Sequence, residues 1–120
     1  MSSRKKLIGV GIDSVSWGRL ERFLTQHSSQ FIKRLLSSFE QKIFLQSKNP
    51  LQFFARCFAA KEAYFKARGG IWMDELGFRG IEMIEEKNNR FKIRTDSGAE
   101  GNFFPVPGGL GARVIVWGDE

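Results

Sequence analysis

The sequence predicts an α+β fold, a mostly antiparallel sheet arranged around one long central helix. Three observations carry that expectation. An alternating, glycine-bearing strand pattern runs from Leu7 to Asp13, and helical spacing then dominates as far as Arg68. The remainder, from Phe78 to Trp117, is β-like. A strand, then grouped helices, then grouped strands is the order of an α+β domain rather than of alternating parallel units. The 120 residues, 42% of them apolar, suffice for one core, so a single domain over residues 1–120 is expected, with residues 1–6 as a basic tail.

In the first strand Ile8, Val10 and Ile12 share one face, while Gly9, Gly11 and Asp13 share the other. The glycine face admits a second element or a ligand close to the backbone. Trp17, Leu20, Phe23 and Leu24 follow at helical spacing, with Arg19 and Arg22 on a different face. Phe31, Ile32, Leu35 and Leu36 make a second stripe, and the intervening Gln26-His27-Ser28-Ser29 reads as a loop carrying a solvated histidine. Ser37-Ser38-Phe39-Glu40 has the form of a capping box and predicts a helix from Ser38 to Ser47. The long helix is expected from Pro50 to Arg68. Asn49 caps it, Pro50 takes its first position, and Gly69-Gly70 supply the left-handed residue that ends it.

Strands are expected over Phe78 to Glu85 and around Phe91 and Ile93, joined by a tight Asn88-Asn89 turn, and finally from Arg113 to Trp117. Residues 97–112 hold many glycines and two prolines and are expected to be irregular. The three tryptophans, Trp17, Trp72 and Trp117, are assigned to the core or to subunit contacts.

The formal charge of +6 favours an acidic partner without choosing among nucleic acid, lipid, phosphate-bearing cofactors and acidic proteins. No zinc-ligand spacing, recognition-helix signature or aromatic RNA-binding motif is present, which argues against a nucleic-acid module. No apolar run approaches the ~20 residues that span a bilayer, so no membrane association is expected. The lone Cys57 permits no internal disulfide and reads as a small buried side chain, in keeping with a cytoplasmic protein. Gly108-Gly109-Leu110-Gly111 lacks the Lys-Ser/Thr of a phosphate loop and reads as a turn.

Chemistry concentrates in Phe58-Ala59-Ala60-Lys61-Glu62-Ala63-Tyr64-Phe65-Lys66-Ala67. Glu62 and Lys66, four apart, can be simply a helix-steadying surface pair worth about 0.3–0.5 kcal/mol. Alternatively, Glu62 can join the isolated Asp13 in offering oxygen ligands to Mg2+, with phosphate oxygens completing the shell and an ammonium holding a phosphate.

These segments together resemble a known family. Gly9-Val10-Gly11-Ile12-Asp13, Arg19, Arg34-Leu35-Leu36-Ser37 with Glu40, and Phe58-Ala59-Ala60-Lys61-Glu62-Ala63 with Lys66-Ala67 and Gly69 look like the successive motifs of the holo-acyl-carrier-protein synthases, in order and with similar spacing. The resemblance implies a 4'-phosphopantetheinyl-transferase-like domain. Coenzyme A would be its substrate, acyl carrier protein its partner, Mg2+ its cofactor, a homotrimer its assembly and fatty acid biosynthesis its setting. It implies Asp13 and Glu62 as metal ligands and, with Lys66, as catalytic residues. Lys61, Lys66, Phe58, Gly69 and Arg56 would bind coenzyme A, and Arg19 and Arg22 would meet the carrier protein.

The chain departs from the family pattern at four places. Ser16 stands where an acid is usual, Cys57 stands where an arginine is common, and Gly69-Gly70-Ile71-Trp72 replaces a glycine-threonine-glycine turn. A glycine- and proline-rich stretch replaces the usual helix and histidine-containing strand near the end. The alternative implied by these departures is a paralogue that binds coenzyme A or carrier protein without transfer.

Overall fold

Five antiparallel strands form the sheet, in the spatial order Lys5–Ser16 (β1), Gly109–Asp119 (β5), Asp96–Val106 (β4), Arg90–Ile93 (β3) and Met83–Glu85 (β2), and one face of it is crossed by the most buried helix. The computed structural model describes residues 4–70 and 77–119, and within them not the side chains of His27 and Ser28. The first strand, β1, covers Lys5–Ser16, so Lys5 and Lys6 pair with Asp119 and Gly118 of the last strand rather than forming a tail.

Three helices follow β1: α1 (Trp17–Leu35), α2 (Ser38–Gln46) and α3 (Pro50–Ala67). α1 merges the two separate stripes expected from the sequence, and the expected Gln26–Ser29 loop is helical backbone. No glycine or proline interrupts that stretch, and the modest penalties for serine and histidine are offset by packing on both sides. Phe23 and Phe31, two turns apart, stack with ring centroids 4.9 Å apart. The capping box at Ser37 forms as expected, with Ser37 Oγ accepting from Glu40 N at 3.1 Å and Glu40 Oε1 accepting from Ser37 N at 2.8 Å. Asn49 caps α3 and Pro50 opens it, while Gly69 and Gly70 close it at φ 78° and 76°.

A single 3-10 turn, Gly77–Gly80, then takes Phe78 out of the strand expected there, and β2 is only Met83–Glu85. Asn88 and Asn89 both have positive φ, 62° and 58°, the conformation of a tight hairpin turn. β3 (Arg90–Ile93) leads to β4 (Asp96–Val106) and β5 (Gly109–Asp119). The stretch expected to be irregular is thus a long hairpin.

Two features reconcile its composition with a sheet. Cross-strand phenylalanine rings cover the glycines: Phe91 lies over its partner Gly101, and Phe104 over its partner Gly111. Pro105 pairs with Leu110 on β5 but lies beyond the end of β3, where Phe103 N donating to Asn89 O is the last bond on that side. A missing N–H on an open edge loses no ladder bond.

The core is built around α3. Phe54, Ala55, Cys57, Ala59, Ala60 and Ala63 are fully buried, facing β5 residues Ala112, Val114 and Val116 and the side chains of α1 and α2. β1 touches α3 through its glycine face. A methyl group at Gly11 would overlap the Ala63 carbonyl oxygen and come within 2.6 Å of the Ala67 amide nitrogen. The opposite face of β1, with Ile8, Val10 and Ile12, is exposed. Of the tryptophans, Trp17 packs against the core and Trp117 is half-buried, while Trp72 lies outside the described residues. Among the described residues no helix is long and apolar enough to cross a membrane.

Candidate active site

Close contact between β1 and α3 decides where the acids meet. Asp13 is the next residue on the glycine face after Gly9 and Gly11, opposite Ala112 of β5. Ala63 and Ala67 lie under the glycines, which sets Glu62 and Lys66, one residue earlier in each turn, at the margin of the contact. Lys66 Nζ donates to Asp13 Oδ1 at 2.9 Å and to Ile12 O at 3.4 Å. Burial pushes the Glu62 carboxyl above its ordinary range, the negative charge of Asp13 pushes it further, and the Lys66 cation partly offsets both. The hydrogen bond to Asp13 holds the Lys66 ammonium above its usual value. Two residues 49 positions apart in the numbering, Asp13 and Glu62, are therefore near enough to feel each other's charge.

Both acids open onto a cleft of about 640 Å³. Arg19 and Ser16 share its polar end, and Phe23, Phe31, Phe58 and Phe78 form an apolar wall. Ser16 is the N-cap of α1, its Oγ accepting from Arg19 N at 3.3 Å, so the position where an acid is usual in the family serves to start a helix here. Lys66 lines a neighbouring depression of about 490 Å³ with Gly69, Arg68 and the β1 backbone at Gly9. The cleft and this depression flank the Asp13–Lys66 pair. Another hollow, of about 610 Å³, lies on the outer sheet face among Arg90, Lys92, Arg113 and Glu100, away from Asp13 and Glu62.

The expected site residues fall into two groups. Asp13, Glu62, Lys66, Phe58, Gly69 and Arg19 lie around the cleft and its neighbouring depression. Lys61, Arg56 and Arg22 do not. Lys61 is 1% exposed and points into the interior, where its ammonium donates to Leu35 O, Glu40 Oε1 and Phe78 O at 2.5, 2.5 and 2.9 Å. A third of a turn separates it from Glu62, which is enough to move a side chain from cleft to core. Its three donors are satisfied, leaving none for a coenzyme A phosphate. Arg56 donates to Asn89 Oδ1 at 3.1 Å and lies over the Phe103 ring at the β2–β3 turn. Arg22 lines a shallow surface depression on α1 with Gly18, Glu21 and Thr25. Ile71 and Trp72 lie outside the described residues.

Helical spacing assigns Phe23, Phe31 and Leu35 to apolar stripes, and the fold sets the same side chains along the cleft. Their helical spacing was visible, but not the gap they border.

No group of three or more metal-ligating side chains occurs among the described residues. Two carboxylates nevertheless fit Mg2+, which commonly keeps waters and takes one or two protein carboxylates together with substrate phosphates. The fit is electrostatic as well. Glu62 is held up first by burial and then by the charge of Asp13, and the second of these is a repulsion that a divalent cation between them would relieve.

Comparison with known proteins bears on the family and the fold. A profile of the 4'-phosphopantetheinyl transferase superfamily matches residues 9–106. The holo-[acyl-carrier-protein] synthase of Klebsiella pneumoniae is 30% identical over 114 residues, covering 95% of this chain and 89% of the relative. That of a Geobacillus species is 37% identical over 86 residues, covering 70% and 71%. Among solved structures, the Neisseria meningitidis synthase has the same fold, with a TM-score of 0.80 at 24% identity, over 92% of this chain and 98% of that one. The Bacillus anthracis synthase, solved in complex with coenzyme A (3',5'-ADP), superposes with a TM-score of 0.78 at 26% identity, over 94% and 98%. On sequence, fold and the placement of its motifs, the chain belongs to the 4'-phosphopantetheinyl transferase superfamily, in its holo-acyl-carrier-protein-synthase branch.

Proposed function

We propose that the chain is a holo-acyl-carrier-protein synthase that moves 4'-phosphopantetheine from coenzyme A to a serine of apo acyl carrier protein, with Mg2+, in fatty acid biosynthesis. The observation that carries the reading is the convergence of Asp13, Glu62 and Lys66 beside an apolar-walled cleft. The curated relatives carry the activity in their names, and the B. anthracis relative was solved with coenzyme A (3',5'-ADP).

In the proposed reaction the serine oxygen attacks the β-phosphorus of coenzyme A. The bond from that phosphorus to the bridging oxygen breaks, and adenosine 3',5'-bisphosphate leaves with the bonding pair. Asp13 and Glu62 are the residues that would hold Mg2+, which when bound supplies neutralisation of the diphosphate charge. Lys66, exposed at its tip, is placed to exchange its bond to Asp13 for a phosphate oxygen as a point charge. The serine proton passes to a nearby carboxylate or to water. Arg19, at the cleft mouth, and Arg22, farther along α1, offer positive charge to an acidic carrier protein. A homotrimer is consistent with the exposed apolar strip Ile8, Val10 and Ile12 on the outer face of β1. A cytoplasmic location is consistent with the single cysteine, which is buried and unpaired.

Incubation with coenzyme A, Mg2+ and apo carrier protein, followed by mass spectrometry, should reveal the phosphopantetheinyl adduct. Asp13→Ala and Glu62→Ala should each reduce its formation by about a hundredfold or more. Absence of the adduct with several carrier proteins would overturn the proposal. The second reading, binding without transfer, is favoured by the Ser16 departure, which removes a neighbouring acid. Calorimetry that detects coenzyme A binding in a protein without turnover would select it.

A further inference from the structure

We infer that the hollow on the outer sheet face is a second anion site, shaped for a diphosphate group and independent of the transferase reading. It has a volume of about 610 Å³ and lies on β3, β4 and β5, beside the β1 strip assigned above to the trimer.

Strand register builds the site. Arg90 on β3 stands opposite Asn102 on β4, which stands opposite Arg113 on β5. Facing residues of adjacent strands rise from the same side of a sheet, so two guanidinium side chains flank one amide. Their backbones are two strand spacings apart, about 10 Å. Lys92, two residues along β3 from Arg90, adds a third cation on the same face.

Cations on an open sheet face are ordinarily paired with carboxylates across the strands, and such clusters need no ligand. These three cations are not so paired. Glu86 and Glu100 line the same hollow, yet the ion pairs among the described residues take Arg56, Lys61, Lys66, Arg68 and Arg94 as their cations. Glu100 stands opposite Lys92, but its Oε1 accepts from Trp117 Nε1 at 3.4 Å. Asn102 Oδ1 accepts from Arg113 Nε at 3.2 Å. That bond occupies the acceptor of the amide and leaves its Nδ2 hydrogens, with the terminal N–H groups of Arg113, as donors.

A concave surface that offers donors from Arg90, Asn102, Arg113 and Lys92 is complementary to an oxyanion. The span selects a diphosphate over a single phosphate. Each guanidinium can hold one phosphoryl group through paired N–H···O bonds, with the Asn102 amide donating between them. Free inorganic diphosphate and the diphosphate of a nucleotide share this chemistry.

Residue-resolved NMR on the full chain, without Mg2+, tests the site directly, because signals near Lys66 report the cleft separately. Inorganic diphosphate should shift the Asn102 side-chain amide and the Arg90 and Arg113 Nε–H signals saturably, with half-saturation at about 1 mM or below. Orthophosphate should bind about tenfold more weakly, and sodium chloride at matched ionic strength should give no saturable shift. Adenosine diphosphate binding as tightly as inorganic diphosphate supports a nucleotide as the source, and binding about tenfold more weakly supports the free anion. Arg90→Ala/Arg113→Ala, at two exposed positions, should keep the parent fold by circular dichroism and weaken diphosphate by about tenfold or more. Arg113→Lys keeps the charge but loses the planar fork and the bond to Asn102, and should weaken it by about threefold or more. Shifts that chloride reproduces, shifts that do not saturate, orthophosphate binding as tight as diphosphate, or unchanged affinity in either variant would each overturn the inference and leave a solvated basic face. Should the double variant lose its fold, Arg113→Lys decides alone.

Discussion

In the proposed reaction Glu62 serves chemistry at the expense of stability. Its carboxyl is held up first by burial and then by Asp13, so between the ordinary glutamate value, about 4.3, and its own raised value the folded chain binds more protons than the unfolded one. By linkage, stability falls as pH rises through that window, and the ionised side chain remains a liability above it. The proposed metal binding requires the ionised form, so at limiting Mg2+ activity should fall as pH drops through the raised value. A pH–rate profile at limiting Mg2+ should place the acidic limb above the ordinary glutamate range, and saturating Mg2+, competing with the proton, should move that limb down. Glu62→Gln should lose about a hundredfold or more in transfer while melting at the same temperature as the parent chain or higher. A clear fall in melting temperature at neutral pH would contradict this account of Glu62.

At the scale of elements, the site depends on how closely β1 lies on α3. Gly9 and Gly11 make that approach possible, because a side chain at either would collide with backbone of α3. Gly11→Ala should therefore destabilise the protein by about 1–3 kcal/mol or more through forced separation, lowering the melting temperature by roughly 3–5 °C per kcal/mol for a chain of this length. The same separation should draw Asp13 from Lys66 and weaken activity in whatever fraction remains folded. Alanine at Gly18, where an added Cβ meets nothing within 4 Å, is the matched control and should melt at or above the parent temperature. Equal melting temperatures for the Gly11 and Gly18 variants would remove the contact from the explanation.

For the whole molecule, the telling surface is the outer face of the sheet. β1 reverses the usual expectation that its large residues face inward: its glycines are covered by α3, while Val10 is 47% and Ile12 56% exposed. An apolar strip on an end strand is a liability unless something covers it. Copies of the same chain would cover it in the proposed trimer. Native mass spectrometry should show a trimer for the parent chain and monomers for Val10→Glu/Ile12→Glu, in which a charge would have to be buried at the interface. A variant that remains trimeric would move the interface elsewhere.

Much of this architecture was legible without coordinates because it depends on short-range rules. The Ser37 capping box, the Asn49-Pro50 start and the Gly69-Gly70 end of α3 are set by hydrogen bonds within a few residues, and each forms as read. The fold class and the family motifs were likewise accessible, since α+β order and motif spacing are linear properties of the chain. Tertiary contacts decided the rest. Packing joined two helical stripes into α1, and cross-strand rings turned a glycine- and proline-rich stretch into the β4–β5 hairpin. Lys61 and Glu62 are neighbours in sequence, yet one faces buried Glu40 and the other the cleft. That difference arises from the rotation of α3 against three other segments, a relation between distant parts of the chain that no local pattern encodes.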